Sequence, residues 1–369
     1  MSFSLAAPFV KSVNTAAQRA DNTQAAGVNP ITLFKTEYLG IQLADNSASH
    51  RDLGFTGELG GKWYAIYGDT LWCAPGVSHP SHDAEGFHGM VRDSISECTN
   101  DPLRVHDLHL NADGRQKQFI PFNSSWGETN LHGFGGTSLV ETDKETATGA
   151  VYYLVVRVKS GLVGAGIAKV EMVNGAPTVT KRYGSKGYWW PSDKVARYGD
   201  VATFKDHKSD YIYLWGGAPT SMDGFLVESY VYQARVRAAD AFDFGSYEYW
   251  WGRARGWRSV PLTEFTTETA VMWNSGQGQV VWSPFFSCYI FVHLGPGSND
   301  VYLRTAPSPE GPWSPDVKVF TATPIDGGMT YAGVAHPYLD ESGQTLTISY
   351  TNNNNIEVLK VSFYKAGTI

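Results

Sequence analysis

A chain of 369 residues with 39 glycines, 18 prolines and 14% aromatic residues, but only 18% charged ones, points to many short strands and turns rather than long solvated helices. The net charge of −7 and the lack of any Lys/Arg run argue against a nucleic-acid partner, and the apolar runs are too short to span a bilayer. Three cysteines, Cys73, Cys98 and Cys288, are too few and too scattered for a disulfide framework or a zinc site, although Cys73 and Cys98 could close one loop.

Residues 1–30 are polar and alanine-rich and read as an N-terminal arm or short helix. Met1–Pro8 has neither a basic start nor a continuous apolar stretch, so it makes a poor secretory signal and slightly favours a cytoplasmic location. From Ile31 the pattern becomes strand-like. Arg51–Trp72 then reads as a hairpin: Leu53, Phe55 and Gly57 alternate with smaller or polar residues, Gly60-Gly61 supplies the turn, and Trp63–Tyr67 is an aromatic, β-branched strand.

The same unit recurs as Gly135–Glu141 with Ala150–Val156, as Gly199–Phe204 with Tyr211–Trp215, as Gln279–Trp282 with Cys288–Val292, and as Gly333–Leu339 with Thr345–Tyr350. Five copies about 60 to 80 residues apart imply a circular array of sheets. Residues 31–369 are therefore expected to form one all-β, five-bladed β-propeller, since radial repetition protects strand edges. Two long junctions, Ala74–Trp126 with five of the ten histidines and Ser221–Trp257 with many Tyr and Trp, are expected to fold over one face.

A hairpin brings its open ends together, so Asp52 and Asp69 should be neighbours. Paired carboxylates at a strand end suit acid–base work on a glycosidic bond; the competing reading of Asp69 is a turn residue satisfied by backbone amides. Asp200, before the third inner strand, is a further candidate carboxylate or a turn cap, and Glu268 is a candidate proton donor. His336 is restricted by Pro337 and could aim at the channel or be a buried structural histidine. His88 and His132 lie nearest the expected blade mouths. Trp126, Trp189, Trp190, Trp250, Trp251 and Trp257 could stack on a sugar or serve blade packing. His79, His82, Asp83 and His88 fit no tight metal-ligand template, and no nucleotide or cofactor fingerprint occurs.

Asp52-Leu53-Gly54 followed by Tyr67-Gly68-Asp69-Thr70 resembles the paired motifs of the five-bladed propeller family in which microbial endo-D-arabinanases were found. Trp282-Ser283-Pro284, Arg304–Ser314 and Ala335-His336-Pro337 are similar to its later-blade motifs. The resemblance implies that Asp52 and Asp69 are the catalytic carboxylates, with His88, Trp126, His132, Asp200, Gln279, Trp282 and His336 shaping a substrate site. The chain departs from the family pattern at Gln277-Gly278-Gln279, where an acidic residue is expected, so Glu268 or Asp200 would have to replace it.

Three functions are therefore expected in order: a glycoside hydrolase acting on a furanoside such as arabinan; a secondary-metabolism cyclase or cycloaddition catalyst with an aromatic-walled pocket; and a sugar-binding propeller without catalysis. Each takes a small molecule or oligosaccharide, and none requires a cofactor.

Overall fold

The structure, a computed structural model, describes residue 27, residues 29–221, 228–295 and 297–365, and residue 367. The expected N-terminal arm lies outside the described residues apart from Gly27, Asn29 and Pro30. The fold is an all-β, five-bladed β-propeller. Each blade is an antiparallel sheet whose first strand lies innermost: Ser49–Leu59, His132–Asp143, Ala202–Asp206, Gly278–Ser283 and Thr330–His336. These five inner strands pack side by side in chain order around the axis, and the last meets the first. Among the described residues no helix is long and apolar enough to cross a membrane.

The ring closes through its first strand. Ile31–Ile41 pairs with Asn355–Lys365 and completes the fifth blade, whose other strands are the last in the chain. Blade five thus joins the first and last described strands of the chain.

The hairpin of blade one has the expected turn, with Leu59 opposite Lys62 and Gly60 and Gly61 at φ 59° and 77°. Two positive-φ residues in succession match the right-handed twist of the strands, and glycine adopts them without a Cβ clash. Blade faces bury alternating apolar residues: Leu59, Tyr64, Ile66, Phe134, Leu139 and Val151 form the core between blades one and two.

Both long junctions contribute outer strands to their blades. Ser94–Cys98 and Val105–Asp107 are outer strands of blade one, and Glu228–Arg237, Glu248–Trp250 and Trp257–Arg258 are outer strands of blade three. Trp190 and Trp251 are buried between blades two and three, while Trp250 and Trp257 pack against the core between blades three and four. The described tryptophans of the Tyr/Trp-rich stretch therefore pack into and beside blade three. The fifth repeat ends at His336, and Pro337–Leu339 is a short 3-10 turn that Pro337 starts, because proline cannot continue the ladder.

Candidate active site

The inner strands run in one direction, so their starts share one mouth of the channel. Asp52 lies near the start of its strand. Arg51 pairs with Thr70 and Leu53 with Tyr67, so Asp52 alone faces both Gly68 and Asp69 across a β-bulge. Gly54 is then an extra residue on its own strand, and Leu53 and Gly54 take φ 65° and 87°. A branched residue in the left-handed region is held there at a cost, as at many functional sites. What holds it is blade five: the Leu53 amide donates to Thr351 Oγ1 at 2.8 Å. Arg51 points away, pairs with Asp107 at 3.0 Å and stacks over Tyr67, which anchors the neighbouring residue in blade one.

The bulge brings the two carboxylates together. Burial, and then the Asp69 charge, pushes the Asp52 carboxyl up to about 7, tempered by the Tyr331 hydroxyl, which donates to Oδ2 at 2.6 Å. The amides of Gly68 and Asp69 face it loosely, and none closes a well-formed hydrogen bond to Oδ1. Gly68 is required here, because a Cβ at that position would lie 2.3 Å from Asp52 Oδ1. Burial also pushes Asp69 up to about 6, and Arg92, 3.5 Å away, counters it. Arg92 is fixed by its own contacts: its guanidinium donates to the Asn130 carbonyl at 3.2 Å, and its amide to Gln118 Oε1 at 2.8 Å. Neighbouring Asp93, fully buried, accepts the Phe119 and Ile120 amides at 3.0 Å and pins the same segment.

The adjacent wall, from blade two, carries glycines. Gly133 and Gly135, at the start of the blade-two inner strand, have open space where a Cβ would stand. Lower down the channel is blocked. Gln279 of blade four reaches across to blade one and donates to Thr56 Oγ1 at 2.9 Å. The carboxylates thus occupy one mouth of a closed-off channel. A groove of about 780 Å³ lies at the other end, by the hairpin turns of blades two and three, where Lys169 and Lys205 are paired with Glu171 and Asp210 at 2.6 Å.

The other candidates fall in different places. His132 opens the blade-two inner strand at the carboxylate mouth, and its Nδ1 accepts the Thr129 amide at 3.1 Å. His88 lies at the same end, 3.2 Å from Asp83, just before Met90–Val91 pairs with Thr70 and Leu71. Trp126 lies under the Arg182 guanidinium at 5.0 Å, which also stacks over Phe134 of the blade-two inner strand at 4.5 Å. Asp200 is buried and committed, accepting Arg197 Nε at 2.6 Å and the Gly217 amide at 2.9 Å. Gln279 is a stitch between blades, as above.

Glu268 precedes an outer strand of blade three and not the blade-four inner strand. It is exposed, the Thr266 and Thr267 hydroxyls hold it below the ordinary carboxylate range, and the strand it precedes, Met272–Ser275, pairs with the third strand of blade three. His336 ends its inner strand beyond Tyr331, opposite a partner segment that runs four residues from Thr351 to Thr347, so about 13 Å below the carboxylates at 3.3 Å per residue. Its ring is buried, bonds Ser349 and Tyr338 at 2.8 and 3.2 Å, and is pushed down to about 4 by burial. Trp282 also sits at the far end of its strand, beneath Lys208 at 2.9 Å. Of the histidine loop, His79 is buried and bonds the Asn353 carbonyl at 2.6 Å, tying blade one to blade five rather than facing solvent.

Two residues at the mouth escaped the sequence reading. Tyr331 and Arg92 contact the carboxylate pair from blade five and from the loop after Trp72. Neither carries a motif; Arg92-Asp93 following a glycine-rich loop is the only local signal.

Compared with curated proteins, the chain matches none. Among solved structures it is similar to a candidate hydrolase from Bacteroides ovatus ATCC 8483, with a TM-score of 0.56 and 16% identity over 88% of this chain and 87% of that one. It is also similar to a family 117 glycoside hydrolase produced by Zobellia galactanivorans, with a TM-score of 0.50 and 12% identity over 89% and 90% of the two chains. A GH43_1 enzyme from Xanthomonas citri, complexed with xylotriose, gives a TM-score of 0.50 and 13% identity over 86% and 88%. At such identities the likeness is one of fold. The model of a domain of unknown function, DUF4185, matches residues 173–365, just over half of the sequence, and the chain belongs to that family.

Proposed function

We propose that this protein is a glycoside hydrolase acting on a furanoside of the arabinan type, with Asp52 and Asp69 as its reacting groups. The observation that carries the reading is the pair itself: two carboxyls of one residue type, brought together by a bulge at a channel mouth and pushed to about 7 and about 6. Near neutral pH such a pair retains a proton on one member while the other is ionised, which is the division of labour that glycosidic cleavage needs. Arg92 favours the charge on Asp69, so Asp69 is the ionised partner that attacks or activates water. Asp52, without a cation of its own, protonates the leaving oxygen. Gly133 and Gly135 add no side chain beside them, and the similar folds of glycoside hydrolases support a glycoside as the substrate.

Sugar release from arabinan and from aryl furanosides tests this. Asp52→Asn and Asp69→Asn should each lose about 10²–10⁴-fold in kcat while retaining the wild-type circular dichroism. Undiminished release in both variants removes the assignment. The cyclisation reading keeps the weak signal region and the blade-four glutamines in its favour but has less from the aromatic segment, whose described tryptophans pack against blade cores.

A further inference from the structure

We infer that Tyr331 is a positioning residue for the carboxylate pair: gripped in a bulge of blade five, it orients Asp52 and leaves one Asp52 oxygen free to exchange the proton. The inference rests on the glycosidase reading for its consequence, but its geometry stands independently.

Tyr331 and Thr351 are direct cross-strand partners in blade five, and they hold two consecutive residues of blade one. The Tyr331 hydroxyl donates to Asp52 Oδ2 at 2.6 Å, and Thr351 Oγ1 accepts the Leu53 amide at 2.8 Å. A second bulge creates this grip. Tyr331 pairs with Thr351 and Val334 with Ser349, so Ala332 and Gly333 together oppose Tyr350, with Ala332 at φ 58°. Gly333 is pressed against blade four, where a Cβ would lie 2.7 Å from His293 Cα, and its amide donates to the Gln277 carbonyl at 3.2 Å. Blade four therefore sets the bulge that aims Tyr331, and Tyr331 sets Asp52.

A phenol donates one hydrogen bond, and here it is spent on Oδ2. Oδ1 is buried without a well-formed partner on the side of Gly68 and Asp69. The proton of the pair is therefore exchanged at Oδ1, with Asp69, Arg92 and Tyr331 as the titratable and charged groups facing it. Without the phenol, the Asp52 carboxyl can rotate and either oxygen can carry the proton, so fewer molecules present the reacting geometry.

The test is the variant Tyr331→Phe, followed in two ways. Titration of Asp52 by carboxyl carbon NMR needs no substrate. Loss of a donor to the ionised form should raise its midpoint by about half a unit or more. With a furanoside substrate, kcat should fall about tenfold, with KM within about twofold and the kcat pH profile moved the same way. Should Tyr331→Phe fail to fold, replacing Tyr331 by 3-fluorotyrosine keeps the shape and strengthens the donor, and the Asp52 midpoint should then fall. An Asp52 midpoint unmoved in a folded variant overturns the inference. If the midpoint moves while the wild-type protein cleaves no furanoside, the positioning role stands and the proposed substrate falls.

Discussion

Gln279 reaches from blade four to Thr56 of blade one, a blade that is not its neighbour in the ring, and closes a hydrogen bond of 2.9 Å across the axis. The same side chain also contacts the Thr56 amide at 3.3 Å and the Ala335 amide at 3.4 Å. One amide group thus ties three inner strands together and makes a floor beneath the carboxylates. Replacing it by Gln279→Leu strands buried donors and acceptors, each worth about 1–3 kcal/mol when unsatisfied. Denaturant unfolding should show a loss of about 2–4 kcal/mol. Activity per folded molecule should stay within a few-fold, because Gln279 supports the site without lining it.

The carboxylate pair makes stability depend on pH. Both folded-state values lie above the ordinary aspartate value of 3.8, at about 7 for Asp52 and about 6 for Asp69. The folded protein therefore keeps protons that the unfolded chain has already released, so this site contributes a loss of stability as pH rises from about 4 to about 7. Asp52→Asn removes the buried charge, and by the same linkage should gain on the order of 4 kcal/mol on wild type at pH 8 and little at pH 4. Melting temperatures of both proteins at the two pH values check this; an equal difference at both sinks it.

The contact between blades one and two leaves no room for a side chain at Gly57. A Cβ there would lie 1.9 Å from the Leu139 carbonyl and 2.7 Å from its carbon, and backbone does not yield as a flexible side chain does. Gly57→Ala should therefore cost about 3 kcal/mol or more, and it should show as loss of soluble protein or a sharply lowered melting temperature. Gly61→Ala has open space around it and a φ of 77°, so it should cost only about 1 kcal/mol from backbone strain.

Ring closure depends on the first strand. Ile31–Ile41 covers the edge of Asn355–Lys365, and Thr36 Oγ1 bonds the Val319 carbonyl of blade four at 2.7 Å. Deleting the chain through Ile41 exposes that edge and loosens the seam at which Tyr331 meets Asp52. The truncated protein should unfold without a single cooperative transition, and any furanoside cleavage should be lost with it. Full activity after the deletion would show that the seam does not govern the site.

The five repeats, the Gly60-Gly61 turn and the adjacency of Asp52 and Asp69 were all legible from sequence, because strand alternation and hairpin turns are local, short-range properties. Asp52 and Asp69 lie within one hairpin, so no tertiary contact had to be known to bring them together. The functions assigned to Glu268 and His336 could not be judged in the same way. Whether a residue near an inner strand faces the mouth, the far end or the outer rim depends on strand direction and on which strand intervenes, and Met272–Ser275 is such an intervening strand. The aromatic stretch before Trp257 had the composition of a pocket wall, yet aromatic residues serve inter-blade packing equally well, and burial decided for the latter.

Local chemistry, then, was written in the chain: strands of period two, glycine turns, and two acids on one hairpin. What the closed ring alone decided was the company those acids keep. Tyr331 is 279 positions from Asp52. Their meeting requires the first strand to complete the last blade, and two bulges to face each other across the resulting seam. Such a relation depends on accumulated blade geometry, which no short window of residues encodes.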